Sequence, residues 1–338
     1  MRGTLCLAAL SATISSVRAA HQGFNYGAFF TDNTPKTQAD FEAEFKTAQN
    51  LVGAPGGGFN SARLYTMLQW GTATDVTAAI PAAIATNTTL LLGLWCSAGD
   101  AIVTNELTAL ATAIATAIAT HGTNFTDLVV GISVGSEDLY RASATGQAHL
   151  AGAGVADPAV LVAYIQRVRD AIKGTALAGT PVGHVDTWTE WVDRPAAASQ
   201  AVIDAVDWVG MDAYSYWQSM VPNAAGRGRG LFEDALEKTR AAVGGKPVWV
   251  TETGFPVSGL ASNEAVPSVE NAKRFWDEVG CLLLFGKVDV WWYILRDAGR
   301  GTPVPSFGIV GGDLGTTPVF DISCKGVEEE DEESCEAD

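Results

Sequence analysis

A single (β/α)8 barrel, the TIM-barrel class, is the fold this sequence predicts, and three observations predict it. Short apolar runs alternate with helix-length segments about eight times, the repeat of a parallel barrel. Most of the runs are continuously apolar rather than alternating, as expected of strands covered on both faces. No linker-like stretch interrupts residues 21–320, and a chain of 338 residues that is 47% hydrophobic supplies one large core. The alternative, an open doubly wound sheet, lacks its usual mark: no G-x-G-x-x-G or G-x-x-x-x-G-K-[ST] follows the first strand.

In chain order, the expected strands are Phe24–Phe30, Asn60–Leu64, Leu90–Trp95, Leu128–Val134, Val182–Val185, Val206–Met211, Val248–Thr251 and Val288–Ile294. Between the first two, Gln38–Val52 places Phe41, Phe45, Ala48 and Val52 on one helical face. Gly53–Gly58 (GAPGGG) precedes a strand and reads as a loop. Glu106–Thr120 repeats Leu107, Leu110, Ile114 and Ile118 at spacings of three and four, so this Ala/Thr/Ile stretch reads as a core-facing helix. Further helices are expected over Pro158–Ile172, Ala196–Ala205, Leu231–Val243 and Val269–Leu284.

The charge narrows the partners. Lys and Arg number 21 against 38 Asp and Glu, a net charge of −17. Such a surface repels nucleic-acid backbones and gains nothing from anionic membranes. A neutral substrate such as a sugar polymer is compatible with it. Residues 325–338 are expected to form an acidic disordered tail, since 327–338 reads VEEEDEESCEAD.

Residues 1–20 read as a secretory signal peptide. Arg2 precedes the apolar run Leu5–Val17, and Val17-Arg18-Ala19 and Arg18-Ala19-Ala20 offer small residues for cleavage. The run is too short to span a bilayer, so no transmembrane segment is expected, and residues 21–324 are expected to form the barrel domain that carries the activity. A secreted protein, extracellular or in a cell wall, gives meaning to the glycosylation sequons at Asn87 and Asn124. Cys6 leaves with the signal. Cys96, Cys281, Cys324 and Cys335 then allow three disulfide connectivities. No C-x-x-C spacing occurs and the histidines (His21, His121, His149, His184) are scattered, so no metal site is expected, nor any cofactor. A monomer is expected.

Barrel chemistry sits where strands end. Those ends carry Asn25 and Tyr26, Arg63 and Tyr65, Trp95, Ser136 and Glu137, Asp186, Asp212 and Tyr214, Glu252, and Trp291 and Trp292. Glu137 and Glu252 each close a buried-type strand, where an unpaired carboxylate is costly. One such glutamate reads as the cap of the next helix. Two, on strands nearly opposite each other, suit glycosidic bond cleavage, in which one carboxyl protonates the leaving oxygen and the other attacks or activates water.

The motifs GSEDLYR (Gly135–Arg141), HVDTWTEW (His184–Trp191), VTETGFP (Val250–Pro256), FNYG (Phe24–Gly27), FWDEVGC (Phe275–Cys281) and VWWYILRD (Val290–Asp297) resemble the fungal branch of glycoside hydrolase family 17. The resemblance covers essentially the whole chain after the signal. It implies a retaining β-1,3-glucan hydrolase or transglycosylase of the fungal wall, with the acid/base, Glu137, on strand four and the nucleophile, Glu252, on strand seven. Many relatives outside the fungal branch carry Asn before the acid; here Ser136 stands there, placed to bond a sugar 2-hydroxyl.

Other assignments rest on position. Tyr214, Tyr216, Trp95, Trp291 and Trp292 are offered as rings that stack on sugar faces. Arg63, Asp186, Asp212, Asn25, Tyr26 and Tyr65 are offered as hydrogen-bonding partners of the carboxylates or of sugar hydroxyls. Glu190 and Glu264 read as surface residues. Cys281 and Cys324 are predicted to form a disulfide that pins the chain's end to the barrel wall, with Cys96 a buried free thiol. The competing reading is a non-catalytic wall protein holding β-1,3-glucan in the same groove; it has no need of both glutamates.

Overall fold

The computed structural model describes residues 19–149, 156–193, 196–298 and 304–327. Nearly all of residues 1–20, expected to be a signal peptide, and most of the expected acidic tail, 325–338, lie outside these residues. The eight parallel strands close in sequence order: β1 Gln22–Tyr26, β2 Ser61–Leu64, β3 Thr89–Leu94, β4 Val129–Ser136, β5 Val182–Thr187, β6 Trp208–Asp212, β7 Val248–Glu252 and β8 Val290–Trp292, with β8 paired back to β1. The doubly wound alternative is thereby excluded.

Around the barrel run α1 Gln38–Gln49, α2 Ala79–Thr86, α3 Asp100–His121, α4 Asp138–Ala142, α5 Ala144–His149, α6 Pro158–Ile172, α7 Trp188–Val192, α8 Ala196–Ala205, α9 Gly228–Ala242 and α10 Val269–Phe275, which continues as a π-helix over Trp276–Leu284. α1 starts where Thr37 and Asp40 bond each other's backbone amides in a capping box. It stops at Gln49, so Val52 falls outside the helix and is exposed rather than core-facing. The short helices α2, α4, α5 and α7 were not expected; each is too brief to show a helical period. α3 is long and apolar enough to cross a membrane by composition, yet it buries Val103, Ala109 and Leu110 against the core and exposes Thr104, Thr108 and Thr112.

Two packing zones follow from strand alternation. Outward-facing residues such as Phe24, Leu90, Leu92, Ile132, Val209, Val250 and Trp292 meet the helices in the main core. Leu91, Val130, Val185, Trp208, Trp249 and Trp291 fill the barrel's interior. Trp208 and Trp249 stack at 4.0 Å between ring centroids, and Trp291 lies 5.8 Å from Trp249. Glycines make this room: a Cβ on Gly183 would stand 2.2 Å from the Trp208 ring, and one on Gly131 2.8 Å from that of Trp249. The lumen is therefore a packed floor, and the mouth above it is where side chains meet solvent.

Cys281 and Cys324 are disulfide-bonded, and Cys96 is free and buried. The bridge anchors the segment after β8, whose Ile322 carbonyl also accepts from the Trp276 indole at 3.0 Å.

Candidate active site

Above the tryptophan floor, the ends of β1, β2, β4, β6 and β7 converge on one carboxylate. Arg63 of β2 is fully buried. Its Nη1 donates to Glu252 Oε1 at 2.6 Å and to Asn25 Oδ1 at 2.7 Å, and its Nη2 to Ser136 Oγ at 2.9 Å. Asn25 is fixed in turn by its amide, which donates to the Thr251 and Trp291 carbonyls. Two phenols complete the setting: Tyr65 donates to Glu252 Oε1 at 2.6 Å and Tyr214 to Oε2 at 2.8 Å. Burial, then the charge of Glu252, pushes both phenols well above their ordinary pKa, so each stays a neutral donor. Three side chains thus present N–H or O–H groups to Glu252, a setting that suits an anion.

Glu137 follows the last residue of β4 in a left-handed backbone conformation (φ 56°, ψ 31°). It starts α4 without capping it, so its side chain remains free to face the mouth. One carboxylate oxygen each from Glu137, Asp212 and Glu252 lie within 4.8 Å of one another. Desolvation first, then the charges of Glu252 and Asp186, push Glu137 up to about 8, against the pull of Arg141 and Arg63. Asp212 is buried between β6 and β7. Its Oδ1 accepts from Thr251 Oγ1 at 2.6 Å, while Oδ2 meets no donor among the described residues. Burial and then the Glu252 charge hold Asp212 well above the usual carboxylate range.

Chemically, this is a pair of carboxyls with divided roles. One is biased to keep its proton at neutral pH, and its neighbour is surrounded by donors. Such a division is what acid-assisted nucleophilic displacement requires.

Several residues predicted to face the substrate do not. Trp291 sits in the floor and its indole donates to Ser61 Oγ at 3.0 Å, near the start of β2. Trp292 points outward into Trp276, Phe285 and Phe275. Tyr26 packs edge-on against Phe45 of α1, and Tyr216, also buried, donates to the Leu260 carbonyl. Asp186 is fully buried on the helix side of β5, because Val185 takes the inward position. Asn25, Arg63, Ser136 and Asp212 are buried as well; Arg63 donates to Glu252, Asn25 and Ser136, and Asp212 accepts from Thr251. Glu190, expected on the surface, is buried; Glu264 is exposed.

Among the aromatic candidates, Tyr65, Trp95 and Tyr214 keep partly exposed surfaces at the mouth. The Arg141 guanidinium lies 4.6 Å over the Trp95 ring and 3.7 Å from Glu137. Arg141 was missed, although it stands four residues after Glu137, one helical turn away. Tyr293 was missed too. Its ring packs edge-on to Tyr214 at 6.0 Å. Alternation was the available signal, since Tyr293 shares the inward phase of Trp291 one step nearer the mouth.

A model of the BtgE/BtgC glycoside hydrolase domain matches residues 23–297. The chain is 57% identical over 319 residues to the Aspergillus terreus protein named Probable glucan endo-1,3-beta-glucosidase eglC; the match covers 94% of this chain and 63% of that relative's length. It is 31% identical over 288 residues to the glucan 1,3-beta-glucosidase of Saccharomyces cerevisiae, covering 83% of each chain. Among solved structures, an active-site mutant of the Rhizomucor miehei beta-1,3-glucanosyltransferase in complex with laminaritriose superposes with a TM-score of 0.69 at 25% identity, over 90% of this chain and 97% of that one.

Proposed function

The chain belongs to the BtgE/BtgC glycoside hydrolase family, and from that premise we propose that it is a retaining β-1,3-glucan hydrolase, with Glu137 as acid/base and Glu252 as nucleophile. The observation that carries the reading is the approach of these two carboxylates, which bring one oxygen each within 4.8 Å at the barrel mouth, a closeness that favours the retaining arrangement.

The steps follow from the side chains. Glu137, protonated at neutral pH, gives its proton to the glycosidic oxygen as that bond breaks. Glu252 Oε2 or Oε1 forms a bond to the anomeric carbon, and the donors around it hold the carboxylate in place. Its charge is then spent in the ester. The repulsion that helped keep a proton on Glu137 disappears, and Glu137 takes a proton from the incoming hydroxyl as that oxygen bonds the anomeric carbon and the ester bond to Glu252 breaks, leaving Glu252 a carboxylate again. Water as acceptor gives hydrolysis; a second sugar gives transfer. The glucanosyltransferase neighbour supports keeping both outcomes.

The expected site of action is extracellular or at a fungal cell wall, in keeping with the N-terminal signal-like segment and with Asn87 and Asn124, whose side chains lie exposed. Incubation with laminari-oligosaccharides, followed by NMR of the first products, tests the proposal. β-Configured products, shorter or longer than the substrate, are expected. α-Configured products would refute retention. Binding without turnover would favour a glucan-holding wall protein.

A further inference from the structure

α4 is a five-residue helix whose first amides are capped from a different strand. A helix normally satisfies the amides of its first turn with the side chain of the preceding residue. That residue here is Glu137, which makes no such bond. Asp186 of β5 takes its place: Oδ2 accepts from Leu139 N at 2.7 Å and Oδ1 from Tyr140 N at 3.1 Å. The Glu137 amide itself donates to the Val185 carbonyl at 2.8 Å, so the helix start is sewn to β5.

Asp186 has its own partner. His184, two residues earlier and fully buried, places Nε2 3.0 Å from Asp186 Oδ2 and Nδ1 2.7 Å from the Val134 carbonyl of β4. A carbonyl only accepts, so Nδ1 carries a proton. Asp186 already accepts from the backbone amides of Leu139, Tyr140 and Thr187, the work of a carboxylate. Nε2 must then donate too, which makes His184 an imidazolium. Asp138 of α4 adds a second negative neighbour, and with Asp186 it outweighs the cost of burial and raises the His184 pKa. Arg141 acts on Asp138 and Glu137, while Glu190 of α7 acts on Tyr140.

We propose that the buried pair His184–Asp186 is a positioning device for the acid/base: it caps α4 in place of Glu137, frees the Glu137 side chain for the mouth, and holds the Asp186 carboxylate beside it. The pair touches no substrate. The assignment rests on reading Glu137 as the acid.

Asp186→Asn tests it, because an amide keeps the size but loses the charge and one acceptor. On laminari-oligosaccharides kcat/KM should fall about tenfold or more. On a dinitrophenyl β-glucoside, whose leaving group needs little protonation, it should fall less than about threefold. The alkaline limb of the oligosaccharide profile should move to lower pH, since a charge that raises Glu137 is gone. Equal losses on both substrates with an unmoved limb would overturn the proposal and leave Asp186 a structural residue. Glu137→Gln is run in parallel: if it shows no such split, the acid assignment fails rather than the pairing. Should Asp186→Asn not fold, 15N NMR of the unaltered protein decides. A buried histidine with both ring nitrogens protonated at about pH 7 is expected; a neutral tautomer would overturn the ion pair.

Discussion

Arg63 and Glu252, 189 positions apart in sequence, meet at 2.6 Å beneath the barrel mouth. The arginine is 1% exposed, and its two Nη groups also donate to Asn25 and Ser136, while its buried Nε meets no acceptor among the described residues. It therefore ties β1, β2, β4 and β7 together at the level of the Glu137 and Glu252 carboxyls. Removing one member of a buried pair leaves the other charge uncompensated.

Arg63→Met should accordingly destabilise the fold by about 3–5 kcal/mol and abolish measurable turnover. Urea unfolding monitored by tryptophan fluorescence checks the first figure. A stability loss under about 1 kcal/mol would mean the pair is solvent-screened.

The neutral phenols around Glu252 act as donors, so Tyr214→Phe removes one charge-assisted hydrogen bond and little volume. A hydrogen bond to a charged group contributes about 1.5–3 kcal/mol, so kcat should fall roughly 10- to 150-fold. The unfolding midpoint should change little. Steady-state kinetics on a soluble β-1,3-glucan would register the drop.

Under the proposed mechanism, activity should be lost on the alkaline side near pH 8, where Glu137 gives up the proton it would donate. Replacing Glu252 by Gln removes the second-largest cause of that elevation, after desolvation, and should lower the Glu137 titration. The carbonyl band of a protonated carboxyl, followed by infrared difference spectroscopy against Glu137→Gln, measures both.

Stability should decline between about pH 5 and pH 8. Glu106, desolvated by burial and so raised from 4.5 to about 7, and Glu137, raised to about 8, hold protons in the native state that the unfolded chain releases. The native state then binds more protons than the unfolded one, and unfolding free energy falls as pH rises. His184, raised as well, loses its contribution in the same direction. At about 1.4 kcal/mol per unit, Glu106 alone sets an upper figure of about 3 kcal/mol. Asp40 and Asp207, lowered from 3.8, have finished titrating below this window. Denaturant midpoints at the two ends of the range check the slope, and a rising midpoint would contradict it.

The Cys281–Cys324 bridge closes a sequence separation of 43 residues. In the chain-entropy model such a loop is worth about 4 kcal/mol. Cys324→Ser should lower the melting temperature and make it insensitive to reductant, whereas the unaltered protein should melt earlier once reduced. Truncation after Cys324 should leave turnover within about tenfold of the full chain.

Strand count, strand order along the chain and the two glutamates were legible in sequence because each rests on local pattern. Apolar runs reveal buried strands whatever their neighbours are, and an acidic residue closing such a run stands out by its desolvation cost. Helix boundaries shifted where a cap or a short length decided them, as with Val52 and α4. The sugar-facing residues were a different matter. Trp291 and Tyr293 look alike at the end of β8, but one fills the floor beside Trp249 and the other borders the mouth. Sequence gives the phase of alternation; how deep each position lies in the barrel depends on strand stagger. His184 and Asp186 make the same point. They seemed scattered or substrate-facing, and the inward turn of Val185 between them sends both toward the helices. Local chemistry told which groups the protein carries, while closure of the barrel, which sets depth and facing, decided which of them meet.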